Sequence, residues 1–523
     1  MKKLALFAVI SVIIISTLLS GCGGNATTTS PSGTTTKPSA TPTATVVTPT
    51  YGGTFTLILN SSPGGNIGYP PEYLGSDSTT PQMIYEGLMR GLADGSNEPM
   101  LATSWEVAAD SLSCVYHLRS GVKFHDGTDF NAAAVKLEFD VLIAKKLQVY
   151  WKSVEAVDAS TIKINFTEYR NGIEFSPAGQ WIPSPTAVAK DGSLDYIRKN
   201  PCGTGPFIFV SFQQDESFVA KKNPNYWKPG KPYLDGFKIV YIPDDMTIKA
   251  AMQKGTADSY PCELGKMAAD FKALGFKVLT QHQAVFSIFF DSKNTASPFA
   301  NEKVREAVEY AINKDNINKN LGYGLFVTPK NLIPIDNVAT DPTIVGRAYD
   351  PAKAKALLAE AGYPTGFSTQ LTPHVAADKD INLAIQQDLA AVGITCKINY
   401  VPDTQYLQLR TGKYEGMMLE PFAGFANFGT SLSMYLSQTT IFFPNMDKPA
   451  AMQKFLDDMA HSKIYPDVAL IRGMVRWIND NAAVIPVYDG GKGYALSSRV
   501  RGNAFLTLSF PPYFVAEEIW LAN

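Results

Sequence analysis

Residues 101–135 read LATSWEVAADSLSCVYHLRSGVKFHDGTDFNAAAV, and the reading of the chain turns on them. Leu112, Cys114, Tyr116 and Leu118 alternate with Ser113, Val115, His117 and Arg119, the period of a half-buried strand. Gly121 and Asp126-Gly127 supply turn chemistry on either side of a short segment, 122–124. Asn131 stands where a side chain would cap a helix starting at Ala132. The local expectation is a hairpin followed by a helix.

Working outward, residues 51–59 open the folded part as a strand and 61–73 form a Gly/Pro-rich loop. Residues 81–92 place Met83, Ile84, Leu88 and Leu92 on one side of a predicted helix. Residues 161–166 alternate as a strand. Gly205-Pro206 forces a turn, 207–210 and 217–221 predict an antiparallel pair, 237–241 a further strand and 248–255 a helix stopped by Gly255. Val304, Ala307, Val308, Ala311 and Ile312 share one helical face. Asp350-Pro351 is an N-cap followed by proline at the first helical position; Ala354, Leu357, Leu358 and Ala361 form its stripe, and Gly362 closes it. A strand at 367–371, a helix at 381–392 ended by Gly393, a strand led by Ile394, Cys396 and Ile398, a helix from Asp403 and an extended run at 414–419 follow. This βαβ rhythm predicts a parallel sheet over roughly 291–484.

The opening block resembles the hallmark stretch of the family 5 extracellular solute-binding proteins, the ligand-capturing components of peptide/nickel-type ABC importers. Leu101, Ala102, Trp105, Leu118, Arg119, Gly121, Val122, Phe124, Asp126 and Gly127 carry the likeness. It extends through Gly203-Thr204-Gly205-Pro206-Phe207, Asn223-Pro224, Tyr226-Trp227, Lys231-Pro232-Tyr233-Leu234-Asp235, and residues 299–315 (FANEKVREAVEYAINKD). The resemblance implies an α/β, two-lobed, periplasmic-binding-protein-like clamshell of type II. Lobe I would be 51–286 with an extra subdomain at 97–202, lobe II 287–485, and 486–523 a return to lobe I. Crossings near 286–291 and 484–489 would form the hinge.

Residues 1–21 read as a lipoprotein leader: Lys2 and Lys3 before an apolar run from Leu4 to Leu19. Leu19-Ser20-Gly21-Cys22 resembles a lipobox, so Cys22 is the expected lipidation site, anchoring the protein to the bacterial cell membrane on its extracytoplasmic face. The Ser/Thr/Pro-rich stretch, within 22–50, has too little apolar surface to offset its ordering entropy and reads as a tether. Of 523 residues, 46 are Lys or Arg and 48 are Asp or Glu. This balance carries no basic stripe for nucleic acid. Apart from Cys22 there are Cys114, Cys202, Cys262 and Cys396. Cys114 and Cys396 read as core residues, and export permits a Cys202–Cys262 disulfide without requiring one.

Peptide binders resembling this chain carry an Asp just after a lobe II strand, paired with the peptide α-ammonium. The comparable position here is Gly424, so either Glu420 substitutes or the ligand is not a free-amine peptide. Phe422 and Phe425, with Asn427 beside them, form either an apolar cleft wall or a loop packed onto the sheet. Tyr69, Tyr73 and Trp181 are further cleft candidates by family position, with core packing as the alternative.

Catalytic patterns are missing. The five histidines form no HExxH or metal-ligand spacing, and there is no GxSxG elbow, GxGxxG turn or phosphate loop. The His125-Asp126 pair reads as a surface turn rather than acid–base machinery. No metal or other cofactor is expected, although nickel and haem binding occur in the family the chain resembles. The expectation is a non-enzymatic, monomeric binding protein for a peptide or other small organic solute, handing it to importer permease subunits. A sensor or adhesin of the same fold, or an exported hydrolase, is the alternative.

Overall fold

A computed structural model describes residues 48–63, 66–72, 79–92, 94–374, 377–502 and 515–522. The leader, Cys22, most of the tether and Tyr73 lie outside the described residues.

The chain enters on β1 (Thr54–Leu59) and then builds a separate antiparallel sheet from β2 (Ala102–Val107), β3 (Ser113–Leu118), β4 (Trp151–Asp158) and β5 (Thr161–Phe166), in the order β2-β3-β5-β4. Helix α1 (Ala132–Ala144) packs on it, its first turn capped by the Asn131 side chain, which accepts from Ala134 N at 3.0 Å. This is the expected hairpin and helix: Cys114, Tyr116 and Leu118 face inward and the intervening residues outward. The chain next forms β6 (Phe207–Gln213), β7 (Ser217–Lys222), β8 (Gly236–Tyr241), α2 (Asp245–Gln253), β9 (Ser259–Glu263), α3 (Lys266–Ala273) and β10 (Lys277–Gln281).

A second α/β unit follows: β11 (Ala284–Phe290), α4 (Glu302–Ala311), α5 (Pro351–Glu360), β12 (Phe367–Pro373), α6 (Lys379–Ala391), β13 (Ile394–Ile398), α7 (Asp403–Thr411), β14 (Met417–Ala423), α8 (Phe428–Leu436), α9 (Ala450–His461), α10 (Val468–Asp480) and β15 (Val484–Asp489). The chain then returns on β16 (Lys492–Leu496) to the first sheet, whose order is β10-β16-β9-β1-β8-β7-β6.

The second sheet, β13-β12-β14-β11-β15, is mixed rather than parallel. Strands β12, β13 and β14 run parallel, as their βαβ connections require. Strand β11, which brings the chain into the unit, is antiparallel to both of its neighbours, β14 and the outgoing β15. Helices cover both faces, so β14 is almost continuously buried instead of alternating. Met417 and Leu419 enter the core under α4–α6, while Met418 and Phe422 enter the one under α8–α10.

The strand limits move the expected boundaries. The chain changes sheet at His282-Gln283 and at Gly490-Gly491, so all of β11 and β15 belongs to lobe II. The helix expected at 81–92 is also absent. Pro81–Met83 is a single 3-10 turn and Met89–Gly91 is extended. Residues 81–89 are buried on every side, and their carbonyls accept from distant partners: Ile84 O from Gly205 N at 2.9 Å, Leu88 O from Ala102 N at 2.8 Å. A surface helix exposes one face; this segment has none to expose.

The four described cysteines are free. Cys202 and Cys262 sit in different cores, so the permitted disulfide does not form, and burial pushes both thiols up to about 12.

Candidate functional site

Two adjacent crossings join the two sheets, at the place of the expected hinge. Gly491 has φ +123° and approaches so closely that a Cβ there would lie 2.2 Å from Gln281 O. Phe286 and Tyr488 stack with centroids 4.3 Å apart beside it. His282 and Asp489 meet at 3.3 Å (Nδ1 to Oδ1) between the crossings. Burial raises the Asp489 carboxyl and opposes protonation of His282, but the carboxylate beside it leaves the imidazole raised overall.

The segment after β14 lies against these crossings. Gly424 N donates to Gln283 O at 2.7 Å. A Cβ at Gly424 would meet Pro334 Cγ at 2.7 Å and Gln283 O at 3.1 Å. Pro334 therefore fills the space that a carboxylate side chain at this position would need.

Glu420 does not supply the missing charge. Its side chain points to the α7–α8 side of the sheet, where Arg410 Nη2 lies 2.9 Å from one carboxylate oxygen and Tyr406 donates its hydroxyl to the other at 2.5 Å. Burial raises the Glu420 carboxyl, and Arg410 then Tyr406 pull it back. An ion pair closed inside lobe II leaves no charge for a ligand ammonium, which corrects the expectation placed on Glu420. Its even-numbered register on β14 sends it inward with Met418 and Phe422.

Phe422 is likewise core: fully buried, it stacks on Tyr435 with centroids 4.6 Å apart. The cleft-wall alternative fails there. Phe425 and Asn427 are only partly buried. Phe425 N donates to Ser431 Oγ at 2.9 Å, and its carbonyl accepts from Asn337 Nδ2 at 2.9 Å. Asn427 caps α8, accepting from Gly429 N at 3.0 Å. Tyr69 is 2% exposed, among Ala187, Ile197 and Cys202, where burial pushes its phenol up to about 12. Trp181 is half-buried on the lobe I core, beside Arg90 and Glu517.

A cavity of about 730 Å³ opens between the subdomain and lobe II. Asn427 borders it with Thr430, Ser433, Asp457 and Asp467 from lobe II, and with Arg170 and Asn171 from the subdomain. Met434, Leu456 and Ile471 give it an apolar floor. Of the sequence-derived candidates among the described residues, only Asn427 lies here. Arg170, Asn171 and Pro334 were not legible in the sequence, because no motif or periodicity links residue 171 to residue 427. Among the described residues no group of three metal-ligating side chains occurs.

The residues of the opening block serve elsewhere. Arg119 stacks on Trp227 at 4.2 Å, Asp126 accepts from Ser184 Oγ at 2.5 Å, and His125 binds Gly205 O at 2.9 Å. Burial pushes His125 down to about 4, so it is a neutral structural group rather than a surface histidine.

Two α/β lobes, two adjacent crossings between them and a mixed polar and apolar cavity bordered by both lobes define a binding protein of the type II periplasmic clamshell class. The chain belongs to the bacterial extracellular solute-binding proteins, family 5, whose profile ("Middle") matches residues 97–443. It is 35% identical over 330 residues to the glutathione-binding protein GsiB of Escherichia coli, covering 60% of this chain and 63% of that protein, thus under two thirds of the relative's length. It is 29% identical over 514 residues to heme-binding protein A of Haemophilus influenzae, covering 86% and 89%. In structure it is similar to the periplasmic binding protein DppA from Helicobacter pylori in complex with peptide STSA, with TM-score 0.75 and 22% identity over 91% of this chain and 99% of that one.

Proposed function

We propose that this chain captures a small organic solute between its lobes and delivers it to the permease of an ABC importer, without catalysing a reaction. The hinge carries this reading: two adjacent crossings let the lobes separate as bodies, and a ligand that touches both shifts them toward the closed form. A cavity of about 730 Å³ falls within the size range of small-molecule sites. The relatives named above are solute-binding proteins for glutathione and haem.

The proposed cargo is a solute whose recognition does not rest on a free α-ammonium. Pro334 seals Gly424, and Glu420 is committed to Arg410. An ammonium buried without a counter-charge is costly. At the cavity Asn427, Thr430 and Ser433 offer neutral hydrogen bonds and Met434, Leu456 and Ile471 apolar contact, while of its two carboxylates Asp467 already accepts from Ser462 Oγ and Leu470 N and Asp457 lies beside His461. Tyr73 and Trp181 remain proposed contacts, whereas Tyr69 is buried among Ala187, Ile197 and Cys202. Delivery would take place at the outer face of the membrane, with the monomer held by acylated Cys22 and its tether.

Thermal shift and small-angle scattering against glutathione, di- to nonapeptides, their N-acetylated forms and haem test this. A binder should raise the melting temperature and compact the protein, with N-acetylation tolerated. If no member of the panel does either, the capture reading fails. Replacing Cys22 by Ala should release the protein from membranes and abolish fatty-acid labelling.

A further inference from the structure

The loop between α9 and α10 leaves lobe II and grips the subdomain of lobe I. Asn171 donates three times across this junction: its N to Ala460 O at 2.7 Å, and its side-chain Nδ2 to Ser462 O and Ile464 O, both at 2.7 Å. Tyr169 donates its hydroxyl to Ser462 O at 2.8 Å. The Lys463 ammonium lies 3.2 Å from the centroid of the Tyr169 ring and 3.2 Å from Ser111 Oγ. Tyr465 packs on Phe175 with centroids 4.8 Å apart. Its ring occupies the space beside Gly172, where a Cβ would come within 2.2 Å of Cε2. The subdomain thus reads the main-chain shape of one loop, using two residues two positions apart.

We propose that residues 460–466 are a clasp that holds lobe II to the subdomain independently of cargo and sets how much of the empty protein is closed. The proposal rests on the two-lobed capture reading, because these bonds matter only if the lobes separate. Every one of them joins groups that lobe opening would part, and none uses a residue of the hinge. The clasp also bounds the cavity, since Asn171 and Ala460 line its wall. Solute entering from this flank waits for the clasp to open, so closure is shared between cargo and protein. One hydrogen bond is worth roughly a factor of three to ten in such an equilibrium. The side-chain bonds of Asn171 should therefore shift the closed-to-open ratio by about tenfold or more and the Tyr169 hydroxyl by about threefold, and loss of the Tyr465 ring, through its aromatic packing, by about tenfold.

The experiment is small-angle scattering of the ligand-free protein, which needs no knowledge of the cargo. Wild type is expected to match the closed form. Asn171→Ala and Tyr465→Ala are expected to enlarge the radius of gyration, with far-ultraviolet circular dichroism unchanged. Tyr169→Phe, which loses one hydroxyl and keeps the ring, should expand the protein less and guards against misfolding of the harsher variants. If Tyr169→Phe and Asn171→Ala both scatter as wild type does, the clasp is overturned, whether wild type is compact or open. The capture reading is tested separately, by whether glutathione, a peptide or haem compacts the protein. A chain that binds one of them normally while ignoring Asn171→Ala would keep its function and lose its clasp.

Discussion

Residues 101–135 and residues 420–427 make an instructive pair. The first carries the likeness to the family most densely, and its side chains hold the subdomain together and fasten it to the 203–206 turn. His125 N donates to Gly203 O at 2.9 Å and Arg119 stacks on Trp227, so two stretches of sequence that look like family signatures are two sides of one packed joint. The second spans the end of β14 and lies against the sheet crossing and a cavity. The first region is a packed joint, held by contacts between its own side chains and the 203–206 turn, and the second runs from a buried strand to the sheet crossing at 282–283.

The comparison breaks most readily on its structural side. Gly203→Ala would put a Cβ 2.2 Å from Ile84 O and 2.6 Å from Tyr85 Cδ1, both in the core. We expect a loss of about 4 kcal/mol or more, read by urea unfolding. A loss below about 1 kcal/mol would mean that the joint yields easily.

Next in size is a pH effect on α1, directly after the block. Glu138 is 4% exposed, one of its oxygens has no partner, and burial raises its carboxyl to about 8, with Lys145 opposing. The folded state binds this proton more tightly than the unfolded state does. Its contribution is fully present below about pH 4.5 and is lost as pH rises toward 8. Between pH 4.5 and 7 the loss is about 3 kcal/mol. Glu138→Gln should flatten that part of the stability profile; an unchanged slope would place the titration elsewhere.

On the cargo side, Gly424→Asp alone should create no peptide site, because Pro334 blocks the new side chain. Combined with Pro334→Gly, it should raise affinity for a free-amine dipeptide about tenfold, the scale of one charge-assisted hydrogen bond. Calorimetry would show this, and a gain from the single substitution would break the sealing argument. The smallest effect belongs to Glu420→Gln: affinity for a cationic peptide should stay within about twofold, since the carboxylate already faces Arg410. A tenfold loss would return Glu420 to the site.

Local elements were legible where the chain itself supplies the reason. Asp350-Pro351 starts α5, with Lys353 N bonded to the Asp350 carboxylate at 2.9 Å, and Val304, Ala307, Val308 and Ala311 bury one face of α4. Spacing failed where burial was all-round. At 81–92 an apolar pattern compatible with a helix became a turn and an extended run, because its carbonyls were claimed by the 101–102 and 205 backbone. At 420–422 the pattern could not say which face of β14 meets the cleft, since both faces are covered.

The sequence by itself determined the family and many of the local strands and helices, because these depend on residues near one another in the chain or on direct likeness. Only the tertiary structure decided that Pro334 fills the place beside Gly424, that Glu420 is already paired, that the sheets exchange strands at 282–283 and 490–491, and that Asn171 reaches the 460–466 loop. Each of these is a meeting of residues tens to hundreds of positions apart. Such meetings are set by how packed faces dock, which no local periodicity encodes.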